Sequence, residues 1–326
     1  MSLQGFLSAS AAAGHADDDQ VSIIASLAEA AKSIDHLVRR NSIVADLGTE
    51  TGGANADGDH QKALDVKAEG LILEHLSATN AAALLSEEQD DAVLLDPDGS
   101  VIVAVDPLDG SSNISVNVTI GTIFSLLPSH GDAAANTLQA GRHQLAAGFF
   151  TYGPQTTLVL TFAGGGDVAG FILCPDSGEF IRSGGALSVP ADTKEFAVNS
   201  AYTNYWFPPM KQWMDDTLMG KSGPCEKDYR MRWIASLVAD GWRILQRGGI
   251  FLYPADQRPG NETGRLRLVY EANPIGLLME RAGGMAIDGV NPILDLVPEN
   301  LHQRVPLFFG ATSEVKRLQH HHSSAD

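Results

Sequence analysis

VAVDPLDGSSNISV, residues 103–116, runs along an apolar stretch, sets two aspartates three apart, then turns through a glycine, two serines and an asparagine. Val101–Val105 is short, β-branched and nearly all apolar, which predicts a buried strand. Asp106 stands where that strand should end. Pro107 has no backbone donor and should stop the ladder. Gly110 permits backbone geometry that a side chain would forbid. Paired carboxylates at a strand end suit a cation, and a small-residue loop rich in N–H and hydroxyl donors suits a phosphate. The same Asp-Pro-x-Asp-Gly run is also ordinary turn chemistry. Taken alone, the stretch leaves both readings open.

The chain has 326 residues, enough for a large core and two domains. Hydrophobic residues make up 44% and aromatics 7%, ordinary for a globular protein. The formal net charge is −18, which argues against nucleic acid or an anionic membrane as partner. An anionic substrate would then need cations placed locally, and bound metal would supply them. Cys174 and Cys225 lie far apart with no CxxC companion, so reduced thiols and a cytoplasmic setting are expected. No apolar run reaches the roughly eighteen residues of a membrane span. The opening MSLQGFLSASAAAGHADDDQ lacks a basic leader and reads as neither signal nor transit peptide. Residues 1–19 read as a disordered, mobile tail, and the closing HHHSSAD as another.

Residues 20–40 carry apolar residues at helical spacing and end on a basic pair. DLGTETGGANADGDHQ reads as a flexible loop, and KALDVKAEGLILEHLSA as a second amphipathic helix containing Asp65. AVLLDPDGSVIVAV reads as a hairpin around Asp-Pro-Asp-Gly. GTIFSLLP, AAGFFTYG, TTLVLTF and GDVAGFILCP follow as strands. The first half is therefore helices followed by a large, mostly antiparallel sheet. Beyond residue 188 strands and helices alternate. EFAVN, GIFLYP, GRLRLVYE, MAID and VPLFFG read as strands. NYWFPPMKQWMDDTLMG (broken by its prolines), RWIASLVADGWRILQRG and NPIGLLMERAGG read as helices. The fold class is α/β. Residues 20–188 form an N-terminal domain carrying most of the acidic motif, and residues 189–326 form a C-terminal domain with a mixed sheet.

Other acids share the look of the opening motif. Glu87 and Glu88 follow an apolar run in LLSEEQDD, Glu271 ends RLRLVYE, and Asp59 and Asp65 flank a helix start. An octahedral Mg²⁺ site wants a few carboxylate oxygens with water and phosphate, and strand ends are rigid places to mount them. Solvated surface acids are the plainer reading of the spacing. DPLDGSSN followed by GTIF, with LSEE upstream and GGIFLYPA, SLVAD and GRLRLVYEANP…MERAGG downstream, resembles class I fructose-1,6-bisphosphatases. That family lies within the metal-dependent, lithium-sensitive phosphatases. The resemblance runs from about residue 20 to about residue 318, and the full series in this order is far more specific than one motif.

The resemblance implies an α-β-α-β-α layered sandwich whose C-terminal domain binds sugar phosphate and whose N-terminal domain is of the allosteric type. It implies Glu87, Asp106, Asp109 and Glu271 as side-chain metal ligands, joined by the Leu108 carbonyl, with Asp59 at a further metal position. Glu88, paired with Asp65, would take a proton from the attacking water. Two adjacent negative charges raise one pKa and make a usable base near neutral pH. Gly110, Ser111 and Arg267 would hold the 1-phosphate, with Ser112 beside them. Asn199, Tyr202, Tyr253 and Arg232 would hold the 6-phosphate, the arginine reaching in from a neighbouring subunit of a homotetramer. Arg265 would contact substrate oxygens. Two or three Mg²⁺ would neutralise the phosphate, activate water and steady the leaving alkoxide, with Mn²⁺ or Zn²⁺ as substitutes. Each residue also has a plain structural reading. Arg232 could pair with Glu226 or Asp228, and Tyr202 and Tyr253 could be core aromatics with a satisfied hydroxyl.

The chain departs from the family pattern in four places. Arg265 stands where a lysine is usual, Trp233 where a tyrosine is usual, and the loop ADQRPGNETGRL is longer than is common. These changes surround the sugar and its far phosphate, which keeps sedoheptulose 1,7-bisphosphate open as an alternative or second substrate. The fourth departure concerns regulation. Where AMP-inhibited members carry a Gly-Thr-rich phosphate loop, this chain reads GHADDDQVSI. The usual Lys-Tyr pair is Ser100-Val101, and the usual arginine is Pro128. No AMP inhibition through that site is expected. Thioredoxin control is not expected either, since the cysteine-bearing loop of the chloroplast enzymes is missing. A catalytically dead sugar-phosphate sensor is the alternative from another class. Retention of every acidic ligand argues against it, because unneeded clustered carboxylates repel one another.

Overall fold

The computed structural model describes residues 1–44, 50–54, 60–130 and 136–324; Asp59 lies outside them. The first half runs α1 Leu3–Ala12, α2 Asp18–Val44, β1 Glu50–Ala54, β2 His60–Lys62, α3 Ala63–Leu76, β3 Ala81–Ser86, β4 Val93–Leu94, β5 Val101–Asp109, β6 Ile120–Pro128, β7 Ala146–Tyr152, β8 Thr157–Phe162, β9 Gly165–Leu173 and β10 Phe180–Ala186. The second half runs β11 Glu195–Ala197, α4 Pro208–Leu218, β12 Arg230–Met231, α5 Leu237–Arg247, β13 Ile250–Tyr253, β14 Leu266–Arg267, α6 Asn273–Arg281, β15 Met285–Ile287, β16 Arg304–Val305, β17 Leu307–Gly310 and α7 Thr312–Ser323.

Strand alternation sorts the apolar side chains into layers. The first large sheet has the order β10-β9-β8-β7-β6-β5-β3-β4, antiparallel except for the β3–β5 pair. On one face Val103, Val105, Phe124, Phe150 and Leu160 pack under Phe6, Ile24, Leu27, Leu64 and Ile72 of α1, α2 and α3. On the other face Ile123, Phe149 and Val159 pack against Val238 and Ile244 of α5 and Ile275 and Leu278 of α6. Those two helices also cover Phe251 and Phe309 of the second sheet, whose order is β12-β11-β13-β17-β15. The far face of that sheet, with Phe196, Leu252 and Phe308, is closed by Trp213 of α4 and Leu318 of α7. The result is the expected α-β-α-β-α sandwich, with a mostly antiparallel first sheet and a mixed second one. Both faces of the first sheet are covered, which is why its inner strands read as continuous apolar runs.

Several expectations need correction. Residues 1–19 are not a tail. Leu3, Phe6 and Leu7 are buried, and Ser2 caps α1 by accepting the Gly5 N–H at 3.2 Å. Asp17 caps α2, accepting the Gln20 N–H at 2.8 Å. The closing histidines belong to α7. The proline pair opens α4 rather than breaking it, since the first turn has no partner for a proline N–H in any case. AVLLDPDGSVIVAV holds the expected turn, in which the Asp98 N–H donates to Asp96 Oδ1 at 2.9 Å, but it is not a hairpin. β3 lies between β4 and β5, where all six of its residues are buried on both faces. GRLRLVYE is a strand for two residues only, then coils as a π-type turn, Leu268–Ala272, into α6.

Candidate active site

Residues three apart in a regular strand face opposite sides of the sheet. Asp106 and Asp109 do not, because β5 holds an extra residue between them. Asp106 pairs with Ile123 and Asp109 with Gly121, so three steps on β5 match two on β6. This β-bulge turns the end of the strand over. Leu108 packs in the same cluster as Val101, Val103 and Val105 despite its even number. Pro107 therefore does not end β5 after Asp106; it sits inside the bulge.

The bulge brings both aspartates to Glu271, and one carboxylate oxygen from each of the three lies within 4.8 Å of the others. All three residues are buried. Glu87 stands at the end of β3, its N–H donating to the Val105 carbonyl at 3.1 Å, and its negative field reaches the other three. Burial, followed by repulsion from Glu87, holds the Asp106 and Glu271 carboxyls well above the usual range. Burial and Glu87 push Asp109 up to about 7, against the pull of hydrogen bonds from Val238 N–H at 3.1 Å and Ser236 Oγ at 3.5 Å. Asp109 thus caps the start of α5 with the same carboxylate that faces the cluster.

Buried carboxylates that repel one another need either protons or a cation. The donors are all hard oxygens with no thiolate or imidazole among them, which fits a hard divalent cation of the Mg²⁺ or Mn²⁺ kind. Arg267 is the positive charge at hand. Its Nη1 lies 3.2 Å from Glu87 Oε1, and its N–H donates to Glu271 Oε2. Beyond Asp109, Gly110 takes φ of 77° and a short 3₁₀ helix, Ser111–Val116, follows. Ser111 is half-buried and Ser112 exposed at its start. Asn113 fixes this loop to the second half by donating to the Ala235 carbonyl at 2.7 Å.

Glu88 directly follows Glu87, its N–H donating to Ser86 Oγ at 3.2 Å, and Asp65 is buried in the first turn of α3. A separate pocket is lined by Asn199, Tyr202 and Tyr253 together with Trp206, Trp233 and Arg258. Burial raises the Tyr253 hydroxyl. Arg232 does not line this pocket. It is exposed, with Nε 3.8 Å from Glu195 Oε1, and Asp228 pairs instead with Lys221. Arg265 is exposed beside β14.

Three contributors were not foreseen. Ser236 and Val238 hold Asp109 from 127 and 129 residues away, a distance no local pattern can signal. Arg258 comes from the long loop already singled out. Its guanidinium lies 3.4 Å from the centre of the Tyr202 ring and pairs with Asp256 at 2.7 Å.

Comparison with known proteins agrees with this arrangement. The family model for the fructose-1-6-bisphosphatase N-terminal domain matches residues 4–184, and that for the C-terminal domain matches residues 189–323. The class 1 fructose-1,6-bisphosphatase of Acidiphilium cryptum is 50% identical over 300 residues, covering 91% of this chain and 84% of its own. That of Rhizobium meliloti is 48% identical over 327 residues, covering 98% and 93%. The crystal structure of Leishmania major fructose-1,6-bisphosphatase in holo form superposes with a TM-score of 0.90 at 33% identity, covering 99% of each chain. With the acidic cluster and the five layers in place, and with both family models and these relatives matching over most of its length, the chain belongs to the class 1 fructose-1,6-bisphosphatase family of phosphatases.

Proposed function

We propose that this chain hydrolyses the 1-phosphate of fructose 1,6-bisphosphate to fructose 6-phosphate and phosphate, with Mg²⁺ as cofactor. The observation that carries this reading is the convergence of Asp106, Asp109 and Glu271 within 4.8 Å beside the Gly110–Ser112 loop. Glu87, Asp106, Asp109 and Glu271, with the Leu108 carbonyl, would hold two or three cations, and Asp59 would serve a further position. When bound, Mg²⁺ supplies charge neutralisation of the phosphate and lowers the pKa of nearby water. The loop at Gly110, Ser111 and Ser112 presents N–H and hydroxyl donors to the phosphate oxygens, and Arg267 adds positive charge. Glu88, with Asp65, takes the proton as water oxygen bonds to phosphorus and the ester oxygen departs. Asn199, Tyr202 and Tyr253 receive the far phosphate. Arg265 contacts substrate oxygens. The exposure of Arg232 supports its delivery to a neighbouring subunit's site in a homotetramer.

AMP is not an inhibitor in this reading. In the segment that replaces the phosphate loop of AMP-inhibited members, Asp19 accepts hydrogen bonds from Ser100 Oγ at 2.8 Å and Asn80 Nδ2 at 3.1 Å. A carboxylate held there repels phosphate. The Arg258–Asp256 pair over Tyr202 bears on sugar length, since both residues line the pocket proposed for the far phosphate. The test is phosphate release in Mg²⁺ from fructose 1,6-bisphosphate and sedoheptulose 1,7-bisphosphate side by side, with and without AMP. Faster release from the fructose ester with no AMP effect is expected. Preference for sedoheptulose would reassign the substrate, and AMP inhibition at micromolar concentration would refute the regulatory reading. Metal-dependent thermal stabilisation without turnover would identify a sensor.

A further inference from the structure

The bulge that aims the acidic cluster is braced from the opposite side of β5. Thr122, on β6, lies between the residues paired with Asp106 and Asp109, directly across from the extra residue. Its hydroxyl donates to the Pro107 carbonyl at 2.8 Å. The Tyr152 hydroxyl lies 2.9 Å from Thr122 Oγ1. A threonine hydroxyl has one proton, and Thr122 gives it to Pro107, so Tyr152 must donate to Thr122. Both residues are buried. The chain of donation runs one way, from β7 through β6 to β5, and each bond polarises the next.

The Pro107–Leu108 peptide is trans, like the other peptide bonds among the described residues, so the Pro107 C=O and the Leu108 N–H point in opposite directions from one rigid plane. The carbonyl end of that plane is held by Thr122. The N–H end donates to Asp106 Oδ1 at 2.9 Å. Rotating the plane would free both ends together. We infer that Thr122 is a positioning residue for the metal cluster: its hydroxyl fixes the Pro107–Leu108 peptide, and through it the Asp106 carboxylate and the Leu108 carbonyl, with Tyr152 fixing Thr122 in turn. This rests on the proposed reading of the cluster as a cation site.

The role is separable from general stability. Thr122→Val keeps the shape and removes the donor; Thr122→Ser keeps the donor. The measurement is Mn²⁺ binding by calorimetry to chelator-treated full-length protein, followed by the Mg²⁺ half-saturation and substrate KM of turnover. Mn²⁺ affinity of Thr122→Val should fall about tenfold, the scale typical when a group that orients a metal ligand is lost. Thr122→Ser should stay close to wild type, and the KM at saturating Mg²⁺ should be unchanged. Equal Mn²⁺ affinity in wild type and Thr122→Val would overturn the brace while leaving the cation site standing. Equal weakening in the valine and serine variants would also overturn it, because the hydroxyl would then not be the cause. A wild-type protein that binds no Mn²⁺ would overturn the reading of the cluster and the brace with it.

Discussion

Asp109 is pulled two ways. Val238 N–H and Ser236 Oγ favour its ionised form, while burial and Glu87 favour the protonated one, and the balance lies near 7. Asp106 and Glu271 are also held well above the usual carboxylate range, chiefly by burial and by Glu87. Without metal, these groups bind protons more tightly in the folded chain than in the unfolded one. Their contribution to stability is therefore present below the ordinary carboxylate range and is lost as pH rises through the raised values. A divalent cation needs the carboxylates ionised, so its stabilising effect grows over the same interval. Mg²⁺-loaded protein should melt above chelator-treated protein, with the gap wider at about pH 8 than at about pH 6. Differential scanning calorimetry at the two pH values checks this, and a gap that narrows with pH would show that the cluster does not take the cation as carboxylate.

At the scale of elements, α1 shows how much a single face contributes. Phe6 meets Phe171 edge-on at 5.3 Å and Phe162 at 6.4 Å, and the Arg182 guanidinium lies 5.5 Å from its ring centre. Phe6→Ala should cost on the order of 3–5 kcal/mol in urea unfolding. A change of only a few tenths would restore the tail reading. The apolar positions of α1, Leu3, Phe6 and Leu7, have helical spacing and were legible; the Ala- and Ser-rich composition around them pointed the other way. Long strands such as β6, β7 and β8 were readable because burial on both faces leaves nearly continuous apolar runs. The β4–β5 hairpin failed for a different reason. Asp-Pro-Asp-Gly does encode the turn, with Gly99 backed against Asn80 and Ala82 so closely that a Cβ would come within 2.6 Å of their backbone. Local chemistry says nothing about which strand then inserts between the arms. Likewise RLRLVYE has strand composition, yet it coils, and the coil brings Glu271 to the Arg267 N–H and the two aspartates.

At the scale of the molecule, the site sits where the two halves are stitched together. α5 lies between the sheets, its first turn holds Asp109, and the residues just before it bond the Ser111–Val116 segment through Ala235. The acidic cluster and the loop that follows Asp109 are therefore anchored to the same helix start. The acids were legible because they cluster at strand ends within a recognisable series. The bulge that aims two of them is written into Pro107, but the groups that hold it, Thr122, Tyr152, Ser236 and Val238, become neighbours only in the folded chain. The most direct test of the account is phosphate release from fructose 1,6-bisphosphate by chelator-treated protein titrated with Mg²⁺, wild type beside Asp109→Ala. The account predicts no release before Mg²⁺ is added, saturable recovery in the wild type, and less than about a tenth of that rate in the variant. Release that persists in chelator, or a variant that keeps more than that fraction, would contradict it.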